Sequence, residues 1–267
     1  MTRIQRRQFL AGTLAAATVT TLGNAAITSA AEGKKSSEYY ELRTYRCDSP
    51  EKQQLTSDYL EKAFIPALNR MGASRVGAFT VLGEESDSSI YVLIAYPSLE
   101  LIGARNLALA DDEQFQKSAA QYFAQPKIKP PYSRIENRLM RAFDGMPAIE
   151  LSASSQANKS RIFELRIYQS HNEHKARMKV NMFNTGETQV MRDTKLAPVF
   201  FGETLISSDV PNLTYMLSAS DMDEHKKHWK AFMDHPEWNR MKKLKKYEDT
   251  VSKITKTFLL PTKYSQL

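Results

Sequence analysis

A single cysteine, Cys47, stands in 267 residues, so no disulfide can form within the chain and stability must come from packing. Nothing next to Cys47 resembles an activating base, which favours an inert, partly buried thiol at a strand end over a reactive one. Glycine is scarce, at 10 residues, and none of it forms a phosphate-cradling loop or a dinucleotide-binding turn. A serine nucleophile elbow and a CxxC pair are missing as well. No apolar run is long enough to span a bilayer as a helix. Hydrophobic residues make up 42% and charged residues 25% of the chain, which speaks against the disordered and fibrous classes.

What is present begins with charge. The formal net charge of +7 includes Arg3, Arg6 and Arg7, which lie in an N-terminal stretch without acidic residues. The remaining excess gathers near the C-terminus, in Lys226, Lys227, Lys230, Arg240, Lys242, Lys243, Lys245 and Lys246, at helical spacing between Phe232, Met241 and Leu244. That pattern describes a solvated helix face. With no aromatic interleaving or glycine-rich loop beside it, nucleic acid is not an expected partner.

Residues 1–31 read as a signal peptide. Basic Arg3, Arg6 and Arg7 precede a weakly apolar region from Phe9 to Leu22, and small residues at Thr28-Ser29-Ala30-Ala31 suit cleavage. Arg6-Arg7-Gln8-Phe9-Leu10 fits the twin-arginine pattern. The expected location is therefore periplasmic or extracellular. This route carries folded proteins, so it permits a cofactor without requiring one, and the reading calls for none. No transmembrane segment is expected in the mature chain.

The rest of the chain matches itself at a shift of 123 residues. Tyr40-Glu41-Leu42-Arg43-Thr44-Tyr45 falls on Phe163-Glu164-Leu165-Arg166-Ile167-Tyr168, and Ile90-Tyr91-Val92-Leu93 on Leu213-Thr214-Tyr215-Met216. Asp111–Phe115 falls on Asp234–Trp238 in the same register. Agreement over such a span marks a repeat. Periodicity predicts strand 39–46, helix 51–71, strands 75–83 and 89–96, helix 98–123 and strand 134–143. The second copy gives strand 161–168, helix 173–194, strands 198–207 and 212–219, helix 221–247 and strand 252–260. The order βαββαβ is the ferredoxin-like unit. The expected fold is α+β, with units at 38–143 and 161–262 and a linker at 144–160. Strands 90–96 and 213–219 are apolar at both parities, as if buried on both faces. Two sheets facing each other within the chain, an intrachain pseudo-dimeric α/β barrel, satisfy that pattern. Further oligomerisation is not required.

The opening Glu-Leu-Arg-Thr-Tyr, Gly77-Ala78-Phe79, Ala95-Tyr96, Arg105 and the acidic-then-aromatic close at Asp112–Phe115 and His235–Trp238 resemble the NIPSNAP domain. The resemblance implies the dimeric α/β-barrel superfamily, which includes small monooxygenases and chlorite-dismutase relatives, and a binding role more than a defined activity. The second copy departs from the pattern, with His228 at the position of Arg105 and Ala219 at that of Tyr96.

Alternation sets Glu41, Arg43 and Tyr45 on one face of the first strand and Tyr40, Leu42 and Thr44 on the other. In the second copy Glu164, Arg166 and Tyr168 oppose Phe163, Leu165 and Ile167. The expectation is that the apolar sets pack on the helices and the polar triplets face the space between the sheets. Two roles remain open for the triplets: a self-satisfied ion-pair network, or a pocket between the sheets that binds a small anionic or polar molecule, with Arg105 contributing. All five histidines lie in the second copy. His171 with His174, and His225 with His228, share a spacing of three that a helix would align, which makes them weak metal or haem candidates. Three readings follow: a small-molecule-binding module, a cofactor-independent oxygenase or isomerase acting through Tyr45 and Arg43 or Tyr168 and Arg166, and a metal- or haem-binding form.

Overall fold

Alternating and doubly apolar strands close on themselves here rather than pack as two separate sheets. The structure is a computed structural model and describes residues 37–267 except Glu85 and Asn158; the signal-peptide reading at 1–31 lies outside the described residues. The first half contains β1 (Tyr39–Arg46), α1 (Pro50–Tyr59), α2 (Ile65–Arg70), β2 (Arg75–Val81), β3 (Ile90–Tyr96), α3 (Leu99–Asp111), α4 (Glu113–Phe123) and β4 (Arg134–Ala142). After a short α5 (Ala153–Gln156), the second half repeats the order. It contains β5 (Ile162–Gln169), α6 (Glu173–Met182), α7 (Thr188–Asp193), β6 (Pro198–Ile206), β7 (Asn212–Ala219), α8 (Met222–Asp234), α9 (Pro236–Met241) and β8 (Lys253–Pro261).

Two expected helices are interrupted, each at the same place in both halves. A π turn, Leu60–Phe64, joins α1 to α2, and Phe183–Glu187 joins α6 to α7. The helix expected over 98–123 breaks at Asp112, whose side chain accepts a hydrogen bond from Phe115 N at 2.9 Å and so caps α4. Its counterpart breaks at His235, held extended by the following Pro236.

All neighbouring strands are antiparallel and form a closed barrel in the order β1-β3-β2-β8-β5-β7-β6-β4. β4 and β6 close one seam between the halves, and β2 and β8 the other. The second seam has only three register pairs. The tail extends it: Gln266 N donates to Val76 O at 3.0 Å and accepts, through Oε1, from Val76 N at 2.8 Å. Leu267 then inserts its side chain into the barrel core.

Strand faces point opposite to the expectation. Tyr40, Leu42, Phe163 and Leu165 fill the barrel with Phe79, Phe200, Met216 and Leu259. Glu41, Arg43 and Tyr45, like Glu164, Arg166 and Tyr168, lie on the outer face under the helices, where Tyr45 joins Leu60 and Phe64 and Tyr168 joins Phe183 and Phe232. Alternation groups residues by face but does not say which face is inside. Energetics decide it. Burying a Phe or Leu side chain contributes roughly 1.5–3 kcal/mol, whereas a charge without a partner costs several in the barrel interior. Rings therefore line the interior. Glu41, Arg43, Glu164 and Arg166 take the outer face, where the helices bring Arg105 and His225 to the two carboxylates.

Candidate functional site

Between the helices and the outer face of each half-sheet lies a cleft floored by the arginine of the first strand. In the first half, α3 delivers Arg105 to Glu41. Arg105 Nη1 donates to Glu41 Oε2 and to the Tyr96 hydroxyl at 3.1 Å, and that hydroxyl donates to Glu41 Oε2 at 3.2 Å. Burial works against the charge of Arg105, but Glu41 and Tyr96 outweigh it and its pKa is raised. Burial pushes the Tyr45 phenol up to about 12, so it is a neutral donor at physiological pH.

Arg43 is treated differently. Its side chain is 13% exposed, yet its nearest carboxylate contact is Nε to Glu41 Oε1 at 3.9 Å, too long for a hydrogen bond. The buried Nε has no hydrogen-bond partner. The guanidinium stands 5.0 Å from the Phe64 ring centroid and 5.4 Å from that of Tyr45, a cation–π setting that offsets only part of its lost hydration. Above it is a cleft of 270 Å³ whose walls include Tyr59, Asn106, Phe115 and Phe123.

In the second half the same carboxylate is fully engaged. Glu164 accepts from Arg166 Nη1 at 2.6 Å and from Trp229 Nε1 at 2.9 Å, and lies 3.0 Å from His225 Nε2. For that last contact to be a hydrogen bond, His225 must carry its hydrogen on Nε2. Trp229 Nε1, 3.0 Å from the same nitrogen, then donates to the carboxylate alone. Burial raises the Glu164 carboxyl, but His225, Arg166 and Trp229 outweigh it, so its pKa falls below the ordinary value. Arg166 sits 4.5 Å from the Trp229 ring centroid. A larger cleft of 450 Å³ follows, with Lys226, Lys256 and Phe258 on its walls.

The histidine expectations need correction. His225, not His228, takes the place of Arg105 against the strand carboxylate, because it lies on the inner face of α8 while His228 is only half-buried. His171 precedes the cap of α6, so its spacing to the exposed His174 is not on a helix. Among the described residues, His, Cys, Asp and Glu gather nowhere in a group of three or more that could hold a metal ion. No helix of the described residues is long and apolar enough to cross a membrane. Cys47 is buried, its Sγ 3.7 Å from Thr56 Oγ1, and burial raises the thiol pKa.

Several features of these clefts escaped sequence reasoning. Trp229, whose indole Nε1 donates to Glu164 Oε2, is one of them. Lys179 Nζ lies 2.7 Å from Glu187 Oε2, and both side chains are at most 5% exposed. At the 123-residue shift they replace Thr56 and Phe64; that exchange of neutral for charged residues was a readable signal. A polar cavity of 290 Å³ at one barrel mouth, lined in part by Arg46, Glu136, Arg138 and Asp209, was also missed. It is the open part of the space between the half-sheets, since the centre is filled by side chains.

Comparison with known proteins agrees on the fold. A proposed monooxygenase from Fusobacterium nucleatum is 8% identical, with a TM-score of 0.54 over 85% of this chain and 94% of that one. A second, from Lactobacillus acidophilus, is 7% identical, with a TM-score of 0.52 over 84% and 94%. A NIPSNAP-like domain protein from Burkholderia xenovorans is 19% identical, covering 39% of this chain and 88% of its own, with a TM-score of 0.36. No curated protein matches the chain. The NIPSNAP model matches twice, over residues 40–144 and 163–266, once for each half of the barrel, and the chain therefore belongs to the NIPSNAP family.

Proposed function

We propose that this protein is an exported small-molecule-binding module, built as two ferredoxin-like units paired into an intrachain pseudo-dimer. Its ligand is a planar anion, an aromatic carboxylate, seated in the cleft of the first half. The observation that carries this reading is Arg43, whose side chain makes no hydrogen bond and whose buried Nε has no partner, in a cleft walled by Tyr59, Phe115 and Phe123. A guanidinium fork matches a carboxylate in two parallel hydrogen bonds, and the rings accept the aromatic part. Isothermal titration with benzoate and salicylate tests it. Saturable binding is expected for the wild type, weakened at least about tenfold in Arg43→Met, since hydrogen bonds to charged groups contribute about 1.5–3 kcal/mol. Equal binding to both proteins, or none to either, rejects the reading. Export is tested separately: Arg6→Lys with Arg7→Lys should block secretion of the folded chain.

A second reading is favoured by the fold shared with two proposed monooxygenases. It makes the cleft a cofactor-independent oxygenase site of the dimeric α/β-barrel superfamily, in which Arg43 and the neutral Tyr45 polarise the bound molecule. This reading requires the ligand to be converted in air and recovered unchanged under argon. Pure binding leaves it unchanged in both.

A further inference from the structure

Inward-facing residues turn from apolar to polar in one direction through the barrel. β1 offers Tyr40 and Leu42 and then Thr44; β5 offers Phe163, Leu165 and Ile167 and then Gln169; β8, running the other way, offers Lys253, Thr255 and Thr257 before Leu259. One end is thereby plugged with rings, and the other opens into the 290 Å³ mouth.

Packing alone does not call for this polar layer. Thr44, Thr204, Asn212 and Thr214 are buried in it, and buried hydroxyls and amides are costly unless bonded. Thr204 Oγ1 donates to Asn212 Oδ1 at 2.6 Å. Thr214 is fully buried, and its Oγ1 has no hydrogen-bond partner. It pairs in register with Ile167 and Gly202, two inward positions, so its hydroxyl belongs to the inner layer.

Charge narrows the ligand. Arg46 is held by Glu136 at 2.8 and 3.1 Å, and Arg138 by Asp209 at 2.8 Å. Those pairs leave no surplus for a dianion or a cation. Lys253 lines the mouth and, among the described residues, has no side-chain hydrogen bond or ion pair. We infer that the barrel mouth is a second ligand site, independent of the Arg43 cleft, for a polyhydroxylated single-ring molecule bearing one carboxylate, of the hexuronate class. Thr44, Thr255, Thr257 and the Gln169 amide meet ring hydroxyls, Tyr91 and Leu42 meet the C–H face, and Lys253 takes the carboxylate. The volume suits one ring, at the lower limit of small-molecule pockets of about 300 Å³.

Isothermal titration of the whole protein with glucuronate, galacturonate, glucose and galactose tests the inference. At least one uronate should bind saturably and exceed its neutral parent by about tenfold, the contribution of one charge-assisted hydrogen bond. Lys253→Met should erase that preference. Thr255→Val combined with Thr257→Val should weaken binding of every sugar by about tenfold or more. Should the double variant fail to fold, Thr255→Val alone, at an exposed rim position, carries the test. Saturating benzoate should leave the affinity unchanged, which separates this site from the Arg43 cleft. Absence of saturable binding by all four sugars, a uronate preference that survives Lys253→Met, or full affinity in the threonine variants overturns the inference.

Discussion

Arg166 Nη1 lies 2.6 Å from Glu164 Oε1, whereas at the matching position of the first half Arg43 Nε and Glu41 Oε1 stand 3.9 Å apart. In the first half Arg105 from α3 and Tyr96 from β3 hold Glu41 Oε2, and Arg43 makes no hydrogen bond to the other oxygen. In the second half His225 and Trp229 hold one oxygen of Glu164 and leave the other to Arg166. The repeat thus keeps one strand motif and gives it two electrostatic states.

That asymmetry predicts unequal effects of charge removal. Breaking a buried pair costs about 3–5 kcal/mol when the remaining charge is stranded. Glu164 keeps two partners, so Arg166→Met should cost somewhat less, about 2–3 kcal/mol. Arg43→Met removes no hydrogen bond and should change stability by less than about 1 kcal/mol. Urea denaturation of both variants measures this; an equal loss in both would mean that Glu41 and Arg43 are coupled as tightly as the second pair.

Element order was legible in the sequence because periods of two and of about 3.6 alternate cleanly twice, at Tyr40–Tyr45 and again at Phe163–Tyr168. Facing was not. Tyr45 and Tyr40 are equally aromatic and both buried, so no local property of the strand tells barrel interior from helix interface. The helix breaks at Asp112 and His235 lay within continuous apolar patterns, although an N-cap aspartate and a residue before proline could have marked them. Apart from the strand arginines, the partners of Glu41 and Glu164 come from residues more than 50 positions away, a distance at which sequence spacing carries no information without the fold.

Closure of the barrel makes each half depend on the other. A fragment of residues 36–145 would expose Tyr40, Leu42, Phe79, Leu93 and Met140, which pack in the barrel core, together with two unpaired edges at β2 and β4. Sedimentation should find it dimeric or aggregated. A fragment that stays monomeric and unfolds cooperatively at high concentration would contradict the intrachain pairing.

Asp209, at the barrel mouth, should give an acid limb to stability. Burial alone would raise its carboxyl, but hydrogen bonds from Arg138, Ser207 and Gln169 prevail and lower it from 3.8 to about 2. Because the folded value lies below the unfolded one, its contribution is present above 3.8 and is lost as pH falls through about 2. The melting temperature of Asp209→Asn should therefore lie below wild type at neutral pH and converge with it toward pH 2. A constant difference at every pH would assign the effect to packing instead.

The Lys179–Glu187 pair should show the opposite pH sign. Burial raises the Glu187 carboxyl above its usual 4.5, and Lys179 reverses this only in part. A raised folded pKa means a contribution that is complete below 4.5 and declines as pH climbs through the folded value. Lys179→Met strands the carboxylate beside Tyr168, Phe183 and Trp238, the rings that surround the Lys179 ammonium. The variant should lose about 3–5 kcal/mol at neutral pH and recover much of it in mild acid, where Glu187 takes up a proton. Lys179→Met combined with Glu187→Leu removes both charges and should lie near wild type or above it, since apolar replacement of a buried pair is often neutral or stabilising by about 1–4 kcal/mol. Chemical denaturation across pH decides the matter. If the single variant is as stable as wild type at neutral pH, or the double variant is as weak as the single, then Glu187 reaches water through the cleft and the pair does not bear on folding.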